Sequence, residues 1–295
     1  MSNKRKSSKT SKSKAKGRAA APKSSGSLLS VATDTTKSVK QRVAALAQSP
    51  LAVCENEQNL EAVLKILRDR SEPIEVRLAA LQTLQAASFS VMTFESCRND
   101  YIAALRAVAE DPDPELRQRV LGILAREKDG YAEQKLLEGL KDPSKALLKP
   151  EKALQLLGNN VHGEAYSVAR DIVNNPPNPV AKREALRLLA ADAASAPMFE
   201  KVLRDKDEVS ENRQISAAAL QAIAPDKMRE HAREILLDPK DYKEIQATSL
   251  TALTQFGNQG LADDQTLMKH INKLRENAST ILKQSARRFL GKYGR

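Results

Sequence analysis

From about residue 58 onward, apolar positions recur three and four residues apart in short runs broken by Asp, Asn and Pro. The run PIEVRLAALQTLQ, from Pro73 to Gln85, is echoed by PELRQRVLGILA, from Pro114 to Ala125. Aligned on the residue that opens each phrase, the pattern starts at Val76, Leu116, Lys149, Ala181, Ile215, Ile245 and Leu282, with spacings of 40, 33, 32, 34, 30 and 37. Four residues after each start stands a small side chain (Ala80, Ala153, Ala185, Ala219, Ser249, Ala286), with Val120 as the exception. Eight residues after it stands Leu84, Leu124, Leu157, Leu189, Ile223, Leu253 or Leu290. Offsets of 0, 4, 5 and 8 share one face of a helix. A second helical pattern precedes each phrase, as in NLEAVLKILRDR and DKMREHAREILLDP, and most of these close on Asp, Asn or Pro, which stop a helix and seed a turn. Each unit therefore reads as helix, tight turn, helix, and a period of roughly 30–40 residues built this way marks an α-solenoid.

Composition agrees with this picture. Aromatic residues make up 3% of the 295-residue chain, with no Trp, while Leu and Ala are abundant. That balance suits helix-on-helix packing and suits β-sheets poorly. No apolar run approaches the roughly 18 residues of a membrane span, and none follows the basic N-terminus closely enough for a secretory signal. Cys54 and Cys97 have no metal-ligand spacing and read as free thiols. The expectation is an intracellular protein, cytoplasmic or, in a eukaryote, nuclear.

Charge adds a division. Residues 1–33 hold nine Lys/Arg and no acid, whereas the rest of the chain holds 39 basic and 37 acidic side chains. The tail cations are Lys4, Arg5, Lys6, Lys9, Lys12, Lys14, Lys16, Arg18 and Lys23, with serines between them. A segment so poor in aliphatic residues cannot offset the entropy of ordering, so residues 1–33 are expected to be disordered. Such tails attract nucleic acid or other polyanions through counterion release; a purely solubilising role is the alternative. Residues 34–57 read as a lone capping helix and linker, with Val39, Val43, Leu46 and Ala47 as its stripe and Asp34 as N-cap. Residues 58–295 form the repeat body. At its end Leu282, Ala286, Phe289 and Tyr293 face inward, leaving Gln284, Arg287, Arg288 and Lys292 outside.

The phrases DRSEPIEVRLAALQTL, DPDPELRQRVLGIL and NPPNPVAKREALRLL resemble HEAT repeats, the two-helix units of the armadillo-like superfamily. The resemblance covers residues 58 to 293 and implies an all-α, right-handed solenoid superhelix of about seven hairpins. It also implies an Asp–Arg ladder between neighbouring turns. Arg77, with Asp69 or Glu72, and Arg117, with Asp111 or Asp113, fit such a ladder, which would break in units three, five and six for want of a cation.

Chemistry is sparse. His162, His231 and His270 lie in different units, and no Cys–His cluster, His–Glu pair or phosphate-binding glycine loop occurs. Enzymes of the resembling fold, glycosylases and hydroxylases among them, imply exposed aromatics or clustered His and Glu. The reading is a protein without catalytic activity, cofactor or metal: a scaffold or adaptor that holds a protein partner on its concave face, with nucleic-acid binding as the alternative. Second-helix offsets 3, 6 and 10 would line that face, carrying Arg119, Arg126, Lys152, Arg187, Arg288 and Lys292 against one acid, Glu184. FSVMTFESC, Phe89 to Cys97, is either a core-filling extension or an exposed apolar patch for a partner.

Overall fold

A computed structural model describes residues 25–160 and 163–294. These residues are helical throughout, without a strand, and the helices pack in sequence order. Two compact units divide the chain, residues 1–104 and 105–295, with the boundary inside helix α6 (Arg98–Val108).

In the first unit, α1 (Ser25–Thr33) packs against α2 (Val39–Ala47), and α3 (Glu57–Arg68) against α4 (Ile74–Ala87). Helix α1 corrects two expectations. Residues 25–33 are ordered, because LLSVA supplies Leu29 and Ala32 to the core. The helix at 39–47 is therefore half of a hairpin and not a lone cap. Its N-cap is Ser38, whose hydroxyl accepts from the Gln41 amide in a capping box. Asp34 instead closes the turn after α1, its carboxylate accepting from the Thr36 amide at 2.9 Å. The buried positions of α2 are Arg42, Ala45 and Leu46, whereas Val39 and Ala47 are exposed. Thr83 of α4 donates to the Leu46 carbonyl at 3.0 Å, tying the two second helices together.

After α4 comes the short α5 (Val91–Phe94). The FSVMTFESC stretch splits between its two readings. Phe94 and Cys97 are buried, Phe94 meeting Tyr101 edge-on at 5.3 Å, whereas Phe89 is 81% and Met92 94% exposed.

In the second unit the first helices are α8 (Gly130–Lys141), α10 (Gly163–Asn174), α12 (Ala196–Arg204), α14 (Pro225–Leu237) and α16 (Gln265–Asn277). The second helices are α7 (Pro114–Arg126), α9 (Pro150–Leu157), α11 (Pro179–Leu189), α13 (Ser210–Ile223), α15 (Lys243–Phe256) and α17 (Thr280–Tyr293). Each second helix lies against the next, so α7, α9, α11, α13, α15 and α17 form one continuous layer. A shared device makes the turns. Asp142, Asp205 and Asp238 end first helices in extended conformation, and each accepts from the amide two residues on. An Asp side chain that hydrogen-bonds in this way imitates a backbone turn. Prolines hold the first position of α7, α9, α11 and α14, where a missing N–H costs nothing.

Candidate partner-binding surface

The repeated Arg is a packing device with a defined geometry. In α2, Arg42 is buried; its Nε donates to the Ala32 carbonyl ten residues earlier at 2.8 Å, and its fork grips Glu72 at 2.6 and 2.7 Å. Arg77 repeats the first of these bonds, with Nε 3.1 Å from the Leu67 carbonyl. The second unit has the same arrangement at Arg213, where Nε lies 2.8 Å from the Leu203 carbonyl and both terminal nitrogens lie 2.8 Å from the Asp241 carboxylate. Lys182 pairs likewise with Glu208. Arg117 uses carbonyls instead, those of Leu147 at 2.7 Å and Asp111 at 2.7 Å.

This geometry amends the expected ladder. Where the acid partners of Arg42, Lys182 and Arg213 are seen, they belong to the following turn rather than the preceding one. Glu72, expected beside Arg77, holds Arg42. Asp69 binds the Ser71 amide and hydroxyl, with the Arg77 charge a minor influence that helps keep its carboxyl below the usual range. Asp111 is buried and accepts from the Asp113 amide. Unit five does not lack its cation. The inward frame of α13 is Asn212, Arg213, Ser216, Ala217 and Leu220, three residues ahead of the frame that begins at Ile215, which is only half-buried.

The six cations of the expected binding row all fall on the second-helix layer, Lys152 half-exposed and the other five exposed. Their charge is less available than their number suggests. Arg119 pairs with Glu115 one turn earlier at 2.6 Å. Arg187 bridges Glu184 at 2.8 Å and Glu211 of α13 at 2.9 Å. Arg183 also reaches Glu211 at 2.8 Å, and Glu184 itself is buried beneath both arginines. Lys292 donates to the Thr254 carbonyl at 2.7 Å. Lys152 stands 3.5 Å from Gln155, while Arg126 and Arg288 have no ion pair among the described residues. The anionic bias read from three offsets thus shrinks, because acids at other offsets reach into the row. The tail cations Lys4 to Lys23 lie outside the described residues, as does His162.

Next to Lys152 and Gln155 the layer opens into a groove of about 940 Å³. The unusually long connection between α8 and α9, residues 142–149, forms one wall. Leu140, Leu147, Leu148 and Ile172 give it an apolar lining, and its charged lining is Arg117, Lys141, Lys149 and Lys152 against Glu151. Gly139 is what lets this connection sit so close. A Cβ there would come within 2.8 Å of the Ala146 backbone. No sequence motif announces the groove; the extra residues between Lys141 and Pro150 are its one trace.

A second cleft, of about 510 Å³, lies between α12 and α14. It gathers Glu200, Arg204, His231, Glu234 and the Arg213–Asp241 pair. His231 Nε2 is 3.6 Å from Glu200 Oε1, and neither atom has a hydrogen-bond partner. Among the described residues no three His, Cys, Asp or Glu side chains converge as a metal site would require, and no helix is long and apolar enough to cross a membrane.

No protein-family model matches the chain, and no curated protein matches it by sequence. Among solved structures it is similar to human deoxyhypusine hydroxylase in complex with glycerol, at 16% identity over 83% of this chain and 99% of that one, with a TM-score of 0.35. The relation is a coarse one between helical, solenoid-like proteins. That neighbour is an enzyme, so the expectation of a protein without catalytic activity is withdrawn. At this level of likeness no activity passes to this chain.

Proposed function

We propose that this is a binding protein built from HEAT-like hairpins, which holds an extended segment of a protein partner in the groove beside α9. The carrying observation is the groove's make-up: an apolar lining of Leu140, Leu147, Leu148 and Ile172 together with a charged lining in which Lys141, Lys149 and Lys152 outnumber Glu151. Its size falls in the range of natural ligand sites, about 300–1,000 Å³. An apolar anchor residue flanked by acids complements it, because buried apolar anchors dominate interface energetics and rim charges steer encounter. Ion pairing of Arg119 and Arg187 supports a protein over a polyanion on the stretch of the layer flanking α9, since cations already matched by acids offer a phosphate chain little.

The test is selection of peptides from a random library on the full-length protein. Enriched peptides should carry a large apolar residue beside Asp or Glu, and Leu148→Asp with Lys152→Glu should weaken their binding at least about tenfold, which is about 1.4 kcal/mol. Peptides that bind the double variant as well as the parent would place the site elsewhere.

A further inference from the structure

The near-neutral body conceals an internal division of charge. Of 48 Lys/Arg, nine lie in residues 1–33 and eight in 265–295, which leaves 31 between them against 36 of the 37 Asp/Glu. A net-acidic middle therefore ends in a strongly basic hairpin, α16–α17, whose only acid is Glu276. Cations in the preceding helices are mostly tied down, as in Arg170–Asp192, Lys182–Glu208, Lys206–Asp238 and Arg233–Asp264. In the closing hairpin Glu276 takes Arg275. Lys269, Lys273, Lys283, Arg287 and Arg288 have neither ion pair nor hydrogen bond among the described residues, and all but the half-exposed Lys283 are exposed. Lys269 with Lys273, and Lys283 with Arg287, stand one helical turn apart, a spacing at which like charges destabilise a helix. The hairpin keeps these charges against its own stability.

We infer that the hairpin Gln265–Tyr293 is a docking surface for the phosphate backbone of double-stranded nucleic acid. Unpaired cations on two packed helices present fixed charge to a polyanion, whose condensed counterions are released on binding. Arg287 and Arg288 add planar donors that match phosphate oxygens. Single strands are a poorer fit, because base stacking needs exposed rings and the hairpin's Phe289 and Tyr293 are buried. A membrane surface is also a poorer fit, because Ile281 is the one large apolar side chain the hairpin exposes among the described residues, and surface-lying helices carry a broad apolar face. This surface is independent of the peptide groove beside α9.

The experiment uses the full chain and a fluorescent 20-base-pair DNA duplex, with binding followed by anisotropy from 50 to 200 mM KCl. Three proteins are compared: the parent, K269Q/K273Q/R287Q/R288Q, and a variant with the nine tail cations changed to Gln. Circular dichroism confirms that the hairpin variant keeps its helices; R287Q/R288Q alone serves if it does not. Removing one cation that pairs with a phosphate lowers the slope of log K against log salt by about 0.9. The quadruple variant should drop by about two to four in slope and at least about tenfold in affinity at 50 mM, whatever the duplex sequence, and the tail variant should retain the hairpin's share. Equal slope and affinity in parent and quadruple variant would overturn the inference, as would absence of duplex binding at 50 mM. Displacement of the duplex by poly-glutamate at equal charge concentration would overturn it too, in favour of an acidic protein.

Discussion

Replacing Arg213 by Met tests the packing logic of the second unit most directly. Arg213 and Asp241 side chains are 2% and 1% exposed, so neither charge is shared with water. The guanidinium makes two bonds to the carboxylate and one to the Leu203 carbonyl, and it lies 5.7 Å from the Tyr242 ring. Met has the length to fill the space but leaves Asp241 buried with only the Tyr242 amide, at 2.7 Å, to stabilise its charge. Removing one partner of such a pair costs about 3–5 kcal/mol. For a domain of this size that corresponds to a fall in Tm of roughly 6–20 °C, at about 2–4 °C per kcal/mol. Arg213→Lys keeps the charge but loses the fork and the Leu203 bond, and falls between parent and Met variant. Pairing Arg213→Met with Asp241→Leu removes both charges and should recover most of the stability, since well-packed apolar replacements of buried pairs are often neutral or better. Urea unfolding followed by helical circular dichroism measures all four proteins. A cost below about 1 kcal/mol for Arg213→Met, or a double variant as unstable as the single one, would refute the assignment of Arg213 as an obligatory buried ion.

Three further outcomes are expected. Burial, and then the hydrogen bond and charge of Cys97, push the Cys54 thiol up to about 12; alkylation by iodoacetamide at pH 8 should be slower in the folded protein than in urea by about a thousandfold, the scarcity of thiolate setting the rate. His270 titrates below its ordinary 6.5, chiefly through burial and secondarily through the Lys273 charge, against the opposing hydrogen bond to the Leu236 carbonyl. The fold thus favours the neutral ring, so its contribution is complete above pH 6.5 and declines as pH falls from there toward the lowered value; His270→Gln should flatten the unfolding free energy between pH 7 and 5. Gly139→Ala should destabilise the protein by about 1–3 kcal/mol in thermal melts, because the new methyl meets the Ala146 backbone, whereas Gly130→Ala, with open space around it, should not.

Helix positions were legible because the period is strong. All seven phrases fall on second helices, and the paired segments fall on first helices. The frame within α13 was not. Offsets of 0, 4, 5 and 8 fit both Asn212 and Ile215, and apolar preference selects Ile215. The fold buries Asn212 and Ser216 instead, because Asn212 bonds Glu208 and the Ser216 hydroxyl bonds the Asn212 carbonyl. A usable signal was present: Ala32–Arg42, Leu67–Arg77 and Leu203–Arg213 share a ten-residue carbonyl-to-Arg spacing. Helix α1 was hidden by the tail beside it, whose composition outweighs four apolar residues in any window. The row of cations was legible one residue at a time, but their pairing was not, since Glu211 reaches Arg187 from α13, the neighbouring helix of the layer. The groove arises from the length of one connection and the absence of one Cβ, and neither has a periodic signature.

Borrowed counter-ions set rules for how such an array can be cut or lengthened. A chain ending after α13 would strand Arg213 without Asp241, and one ending after α11 would leave Lys182 without Glu208. Hairpins are therefore not interchangeable bricks; each Arg or Lys of this kind makes its neighbour a condition of its own burial. Arg117 departs from this rule in kind only: the following turn lends it the Leu147 carbonyl in place of a carboxylate, so there the neighbour supplies a backbone acceptor to the repeated cation.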